Sequence, residues 1–250
     1  MAVKKRKDWF LFNAIKSAVR FFYPKMTIVG IENIPEKDAI IVANHAKMNG
    51  PICAELFMPS NSFIWCSGHM MHLKEVPEYA YNDFWSEKSK AAKPFFKALS
   101  YIIAPLSVCV FNNARTIAVY NDMRGLSTFR DTIGKLKEGS IIVIFPEGKI
   151  PDNNIVNGFQ EKFVDVAKLY FKSTGKELKF VPMYVAPNLK QIHVMKAVTF
   201  DGSADIESER KRICRSVSEA ITATARSLPR HKVVPYNNIA NKKYLTNKDV

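Results

Sequence analysis

The chain has 250 residues, and its 37 Lys and Arg side chains against 23 Asp and Glu side chains give a formal net charge of +14. With 47% hydrophobic residues, the chain is too apolar for a disordered polycation and apolar enough to fold around one core. A charge this positive predicts a partner that carries phosphate, either a nucleic acid or an anionic lipid surface.

Several features predict a chain that is neither secreted nor inserted across a membrane. The longest nearly apolar stretch, 98–111, is shorter than the roughly 18 to 20 residues of a spanning helix, and Pro105 interrupts it. The basic and aromatic N-terminus has too short an apolar part for a signal peptide. Four cysteines lie far apart, as expected of reduced core residues in a cytosolic protein: Cys53, Cys66, Cys109 and Cys214.

The first predicted element is a basic amphipathic helix in segment 1–25, which carries seven basic side chains and one acidic side chain. Aromatic rings beside cations are typical of a helix that lies in the headgroup region of a membrane. The same face is also suited to packing on the rest of the fold, and the two interpretations are compatible. Its apolar side chains recur at steps of three or four residues, as on one face of a helix: Trp9, Phe12, Ile15, Val19 and Phe22.

Strand-like and helix-like segments alternate through residues 26–228. This alternation predicts an α/β domain with a mostly parallel central sheet flanked by helices. Residues 229–250 form a basic tail, rich in Asn, which we expect to be a loose end. After segment 26–32 and a short break, apolar runs of strand length lie at 39–43, 62–66, 107–111, 140–145, 179–185 and 191–200. Helix-like patterns lie between them, at 52–58, 89–102, 116–137, 159–173 and 204–228.

Two loops that follow predicted strands contain unusual polar residues, and ligands of such sheets gather at these loops. The first loop runs from Asn44 to Pro51. Pro51 suits the first turn of a helix, with Asn49 or Gly50 as the cap. His45 therefore lies between a strand end and a helix start, where a neutral imidazole is suited to take a proton from a hydroxyl group.

The second loop follows the predicted strand at 140–145 and has the sequence Pro146-Glu147-Gly148-Lys149. A carboxylate, a glycine and a cation in succession after a buried strand are suited to bind a polar head that carries phosphate. A charged turn without a ligand is the simpler interpretation of these residues taken alone.

Together the two loops resemble the motifs of the glycerolipid acyltransferases, the family that includes the 1-acylglycerol-3-phosphate acyltransferases. NHAKMNG (44–50) matches most of the family's NH-x4-D block, and FPEGK (145–149) matches its FPEG block about a hundred residues later. Val181-Pro182 matches a later short block, and Arg115 is a match to the Arg of an intermediate block.

The resemblance implies a role for each matching residue. His45 is the general base that deprotonates the hydroxyl of a lysophospholipid such as 1-acylglycerol 3-phosphate, and that oxygen then attacks the thioester of acyl-CoA or acyl carrier protein. Glu147 and Gly148 shape the acceptor site, Arg115 binds the acceptor phosphate, and Lys149 assists. No metal or other cofactor is required. Main-chain N–H groups at the helix start after the first loop, or at the turn of the second, are candidates to stabilise the oxyanion.

The chain departs from the family pattern at Gly50, where the family has the Asp that holds the imidazole. Three explanations remain open. Asn49 orients His45 through its amide oxygen, or Glu55 points back toward the loop, or the protein is catalytically impaired and acts by binding lipid at the membrane surface. Ile150 stands where the family has a further Arg.

The partners expected from charge and motifs are an anionic membrane surface, a lysophospholipid and acyl-CoA or acyl carrier protein, all of them negatively charged. These partners place the protein peripherally on the cytoplasmic face of a membrane. No zinc-finger spacing, basic zipper or RNA-binding signature favours nucleic acid. His69 and His72 would bind a metal only with a third ligand from elsewhere. The apolar residues of 65–85, with those before Phe111, are predicted to line a channel for the acyl chain.

Overall fold

The computed structural model describes residues 9–85 and 89–249, so the basic run Lys4 to Lys7 of the predicted N-terminal helix lies outside the described residues. The helices are α1 (Trp9–Phe22), α2 (Asn49–Phe57), α3 (Val76–Ala80), α4 (Lys93–Asn113), α5 (Gly125–Lys137), α6 (Asp165–Thr174) and α7 (Ile206–Ser227). The strands are β1 (Thr27–Val29), β2 (Ala39–Ala43), β3 (Ser62–Ser67), β4 (Thr116–Val119), β5 (Ile141–Ile144), β6 (Glu147–Pro151), β7 (Asn157–Phe159), β8 (Lys179–Ala186), β9 (Gln191–Val194) and β10 (Val198–Thr199).

The chain divides into two compact units. The sheet unit consists of Lys25–Ile64 and Phe129–Val250, and the helical unit consists of Met1–Pro24 and Trp65–Thr128. These units do not correspond to the segments 1–25, 26–228 and 229–250 predicted from the sequence, and that functional division stays a prediction.

The sheet unit is built on a mostly parallel sheet in which the strands follow the order β1-β9-β8-β2-β5-β3. β2 pairs in parallel with both β8 and β5, and the pairs β5/β3 and β1/β9 are also parallel. The pairs β8/β9 and β8/β10 are antiparallel. Every residue of β2 and β5 is buried, as expected of inner strands in such a sheet. The predicted α/β class is therefore confirmed.

The register of the sheet brings the two polar loops together. Val42 of β2 lies opposite Ile144 of β5 in a parallel pair, and opposite Pro182 of β8 on its other side. The chain therefore leaves β2 and β5 at the same edge of the sheet, and the loops that begin at Asn44 and Phe145 lie side by side. After the second loop the chain forms the antiparallel ribbon β6/β7.

The helical unit corrects the prediction of a strand at 107–111, because these residues belong to α4. Ser100, Ala104 and Ser107 are buried at the spacing of a helix, and α4 packs against both α1 and α3. An apolar run of this length fits a buried strand or a helix equally well in sequence. The neighbouring segment 65–85 contributes to the apolar core beneath α4, and its role in an acyl channel stays a prediction.

The same helix corrects the expectation that no segment is long enough to span a membrane. Pro105 lies inside α4 and does not end it. By length and composition alone, Lys93–Asn113 is able to cross a bilayer. The prediction had treated Pro105 as an interruption of the stretch 98–111, although a proline within a helix can be tolerated with a kink.

Other boundaries also differ from those predicted. The predicted helix 116–137 is the strand β4 followed by α5, with a turn at Asp122 between them. The predicted strand 191–200 is divided into β9 and β10, and the helix expected from residue 159 begins only at Asp165. The tail is not a loose end, because Asn247 is fully buried and Lys232 pairs with Thr246 as in an antiparallel strand.

Candidate active site

His45 is held by both its main chain and its ring. Its N–H donates to Oε2 of Glu147 at 2.5 Å, and its Nδ1 is hydrogen bonded to the carbonyl oxygen of Lys47. Since a carbonyl only accepts, Nδ1 carries the proton and Nε2 is the basic nitrogen. Two consecutive left-handed residues, Ala46 (φ 44°) and Lys47 (φ 55°), turn the chain so that this carbonyl faces the ring.

Two aromatic rings contact the imidazole by their edges or faces. The ring of Phe145 lies 5.3 Å from that of His45 between centroids, at an interplanar angle of 61°. The ring of Tyr236 lies 5.4 Å away at 75°. Edge-to-face contacts of this kind restrict how an aromatic ring is oriented, so the imidazole is half-buried in a defined position.

Glu147 is buried, and both of its carboxylate oxygens accept main-chain hydrogen bonds. Oε1 accepts from the N–H of Asn157 at 2.9 Å, while Oε2 accepts from His45. Burial raises the pKa of Glu147 to about 7, although these two hydrogen bonds oppose the rise. The predicted role of Glu147 in binding the acceptor stays a prediction, and its bonds place it directly behind the His45 main chain.

Asn44 and Asn157 have structural roles that the sequence analysis missed. The buried amide of Asn44 donates to the carbonyl of Val185 at 3.1 Å and accepts from the Val185 N–H at 2.7 Å. Asn157 donates from Nδ2 to the carbonyl of Gly148 at 2.7 Å. For Asn44 the signal was present, because it is the first residue of the NHAKMNG block.

Gly50 lies where no side chain fits. A Cβ atom there would lie 2.6 Å from the carbonyl oxygen of His45, 2.7 Å from the Phe145 ring and 2.9 Å from the carbonyl oxygen of Asn44. The N–H of Gly50 donates to the His45 carbonyl at 2.9 Å. Because this N–H already has an acceptor, the prediction that it stabilises the oxyanion is wrong.

The two residues suggested to replace the missing carboxylate, Asn49 and Glu55, both lie on α2. Asn49 begins the helix, and its Nδ2 donates to the carbonyl of Ala46 at 2.9 Å. The helix cap is Met48, not Asn49 or Gly50 as predicted. Glu55 lies further along α2 and is half-buried. An orienting role for Asn49 stays a prediction, whereas the partner of the His45 ring at Nδ1 is a main-chain carbonyl.

The remaining predicted substrate-binding residues belong to two different units of the chain. Gly148 and Lys149 lie on β6, and the Lys149 side chain is exposed. Arg115 belongs to the helical unit, between α4 and β4. Its binding of the acceptor phosphate stays a prediction.

The two histidines considered for a metal have protein partners in the helical unit. Nδ1 of His69 lies 2.6 Å from Oε2 of Glu75, and Nε2 of His72 lies 2.9 Å from the Tyr120 hydroxyl. Among residues 9–85 and 89–249, no group of three or more His, Cys, Asp or Glu side chains is placed to hold a metal ion.

Comparisons with known proteins give a structural likeness but no match in sequence. Neither the family models nor the curated proteins contain a match to this chain. Among solved structures, the chain is similar to the 1-acyl-sn-glycerophosphate (LPA) acyltransferase PlsC from Thermotoga maritima, with 18% sequence identity and a TM-score of 0.45. The alignment covers 89% of this chain and 84% of that one. A likeness at this level does not assign a function.

Proposed function

We propose that this protein is an O-acyltransferase that moves a fatty acyl group from acyl-CoA or acyl carrier protein to the hydroxyl of a lysophospholipid, such as 1-acylglycerol 3-phosphate. The observation that carries the proposal is the state of His45. Its Nδ1 faces the Lys47 carbonyl, so Nε2 is the basic nitrogen, and its main chain is bonded to Glu147 of the second motif.

In the proposed reaction, Nε2 of His45 takes the proton from the acceptor hydroxyl as its oxygen forms a bond to the thioester carbon. The tetrahedral intermediate then collapses, and the bond between carbon and sulfur breaks. The thiolate leaves with its electron pair and takes the proton from the imidazolium. The products are an ester and a free thiol, and His45 returns to its neutral form with no metal or other cofactor.

The charge of the protein suits this reaction. Acyl-CoA, acyl carrier protein and a lysophospholipid phosphate are all anionic, and a net charge of +14 attracts each of them. Lys149 is exposed and follows the buried Glu147 by two residues, so it is suited to meet the phosphate of the acceptor. We assign it this assisting role.

We also propose that the helical unit binds peripherally to an anionic membrane on its cytoplasmic face. On α1, three phenylalanine side chains are more than 80% exposed: Phe10, Phe21 and Phe22. Only Phe12 of the predicted stripe is buried. Arg20 is exposed on the same helix, which provides the cation that anionic lipid requires.

Helix α4 also exposes apolar side chains to solvent. It packs against α1 on one side, while Phe95, Tyr101, Ile102 and Leu106 are exposed. Since protein covers one face and apolar side chains cover another, α4 is suited to lie along a membrane surface as part of a folded unit. Exposed apolar groups on two packed helices are typical of a membrane contact.

The test is an acyl-transfer assay on purified protein, with acyl-CoA or acyl carrier protein as donor and a panel of acceptors read by mass spectrometry. The panel contains lysophosphatidate, glycerol 3-phosphate and an amine-bearing lysolipid. We expect an ester product with wild type and a loss of about a thousandfold or more with His45→Gln. His193→Gln, on β9, is the matched control and should keep its activity. Equal rates for wild type and His45→Gln would overturn the assignment of the base.

The glycine at position 50 favours a second candidate function. In this alternative, the protein is catalytically impaired and acts by binding lipid at the membrane surface. No carboxylate stands at that position, and the Asp of a serine-protease triad is known to matter greatly for turnover. Binding of lysophosphatidate by wild type, with no ester formed from either donor, would favour this second function.

A further inference from the structure

Residues 231–249 form a segment that we call the C-terminal strap, and its two ends are fastened to each other and to α7. The fully buried Asn247 accepts from the N–H of His231 at 2.9 Å. It donates to the carbonyl oxygens of Ala225 and Leu228 at 2.8 and 3.0 Å. The strap is thus a closed loop with a buried polar anchor.

The middle of the strap reaches the candidate active site. The ring of Tyr236 contacts the ring of His45, as described above. Next to it, Oδ1 of Asn237 accepts from Nδ2 of Asn157 at 3.3 Å, and Nδ2 of Asn237 donates to the carbonyl of Lys149 at 3.3 Å. These contacts connect the strap to both motif loops of the sheet unit.

The strap also holds the residue whose carbonyl faces the imidazole. Nζ of Lys47 donates to the carbonyl of Ile239 at 3.1 Å and lies 5.0 Å from the centre of the Tyr244 ring. Lys47 is in the left-handed region, which residues other than glycine seldom adopt. Contacts that fix its side chain therefore help to keep its carbonyl directed at Nδ1 of His45.

We propose that the C-terminal strap positions the catalytic base, and this inference rests on the proposed function. Tyr236 holds the imidazole by ring contact. Ile239 and Tyr244 hold Lys47, whose carbonyl fixes the ring nitrogen that a carboxylate fixes in the resembled family. The strap residues are positioning residues, because they act on the reaction only through His45 and Lys47.

The kinetic test compares Tyr236→Ala, Tyr236→Phe and Lys47→Met with wild type. We expect the Ala and Met variants to lower kcat by about ten- to hundredfold, since a misplaced base costs that much, with KM for either substrate within about twofold. Tyr236→Phe keeps the ring and should keep most of the rate. Leu169→Ala on the exposed part of α6 and Lys176→Met in a distant turn are matched controls that should behave as wild type.

A second readout does not depend on acyl transfer. In protein labelled with ¹⁵N-histidine, the His45 signals are assigned by their loss in His45→Gln. Wild type should show a protonated Nδ1 and an unprotonated Nε2. Tyr236→Ala and Lys47→Met should show averaging between the two tautomers, with the other four histidines unchanged.

The two readouts separate failure of the strap from failure of the proposed function. Suppose that wild type is inactive, that its His45 ring shows one tautomer, and that the variants show averaging between two. This result would overturn the proposed function and support positioning by the strap. An active wild type, with unchanged kcat and unchanged tautomer in Tyr236→Ala and Lys47→Met, would overturn the strap proposal alone.

Discussion

The main-chain N–H of His45 donates a 2.5 Å hydrogen bond to Oε2 of Glu147, 102 residues further along the chain. The other oxygen of the same carboxylate accepts from Asn157 on β7. One buried side chain therefore fastens the loop after β2 to the ribbon after β5. A buried N–H that lost this acceptor would cost about 1 to 3 kcal/mol.

Replacement of Glu147 should change how stability depends on pH. Burial raises its pKa from the ordinary 4.5 to about 7, so the folded state binds the proton more tightly than the unfolded state. The stabilisation from this group is complete below pH 4.5 and falls by about 3 kcal/mol as pH rises through 7. Urea unfolding of wild type and Glu147→Gln from about pH 4 to about pH 8, a range that includes both pKa values, measures the difference.

The two stability curves for Glu147 should therefore diverge, with wild type losing stability relative to the variant as pH rises. Glu36→Gln alters an exposed carboxylate and should leave the wild-type curve unchanged. Parallel curves for wild type and Glu147→Gln would show that the carboxyl titrates equally in both states.

Substitution of Gly50 should destabilise the protein, and an Asp there should not improve the enzyme. An added Cβ meets two carbonyl oxygens and the Phe145 ring at 2.6 to 2.9 Å, so Gly50→Ala should lower the free energy of unfolding by about 3 kcal/mol. Gly134→Ala is the control, because a Cβ there on α5 meets nothing within 4 Å and should stabilise by up to about 1 kcal/mol. Faster acyl transfer by Gly50→Asp would contradict this prediction.

Asn44→Asp should weaken the connection between the loop after β2 and strand β8 while leaving the side-chain volume almost unchanged. Both ends of the Asn44 amide are used by Val185, and a carboxylate would face the carbonyl that now accepts a hydrogen bond. We expect a loss of about 2 to 4 kcal/mol in the free energy of unfolding at pH 7. Thermal and urea unfolding check it, and wild-type stability in Asn44→Asp would refute the role given to this amide.

Membrane binding should depend on the phenylalanines at the end of α1. Removing exposed rings that enter a bilayer loses on the order of 2 kcal/mol each, so Phe21→Ser with Phe22→Ser should weaken binding by about a hundredfold or more. Flotation with vesicles of phosphatidylglycerol and phosphatidylcholine, against phosphatidylcholine alone, measures it. Leu169→Ser in the sheet unit is the control. Equal flotation of wild type and the double variant would exclude this face as the membrane contact.

The α/β class was predictable because the inner strands, such as β2 and β5, are short uninterrupted apolar runs. The same property caused the error at 107–111, where an apolar run belongs to a helix. Only the burial of small residues on one face of α4 distinguishes the two cases, and that burial depends on tertiary packing. The division of 116–137 was missed although turn residues were present: the turn begins at Asp122 and ends at Gly125, whose N–H donates to the Asp122 carbonyl.

At the site, the neighbourhood of His45 and Glu147 was predictable, since parallel strands leave their polar loops at one edge. The partner of the imidazole was not, because any residue has a carbonyl and only the backbone turn at Ala46 and Lys47 directs this one. Tyr236 was missed for a different reason. It lies in a segment without periodicity, and nothing in its local sequence indicates a contact with a residue so distant in the chain.

If α4 lies on a membrane as proposed, Pro105 limits how deeply this helix enters the bilayer. Proline has no N–H, so the carbonyl of Tyr101, four residues earlier in the helix, lacks its usual donor. The hydrocarbon core of a bilayer contains no hydrogen-bond donor for that oxygen, whereas the hydrated layer of glycerol and phosphate groups contains water. Tyr101 is 62% exposed, and tyrosine favours that same layer. In the proposed membrane contact, the proline would therefore favour a position of α4 in this hydrated layer, where a lysophospholipid carries its reactive hydroxyl.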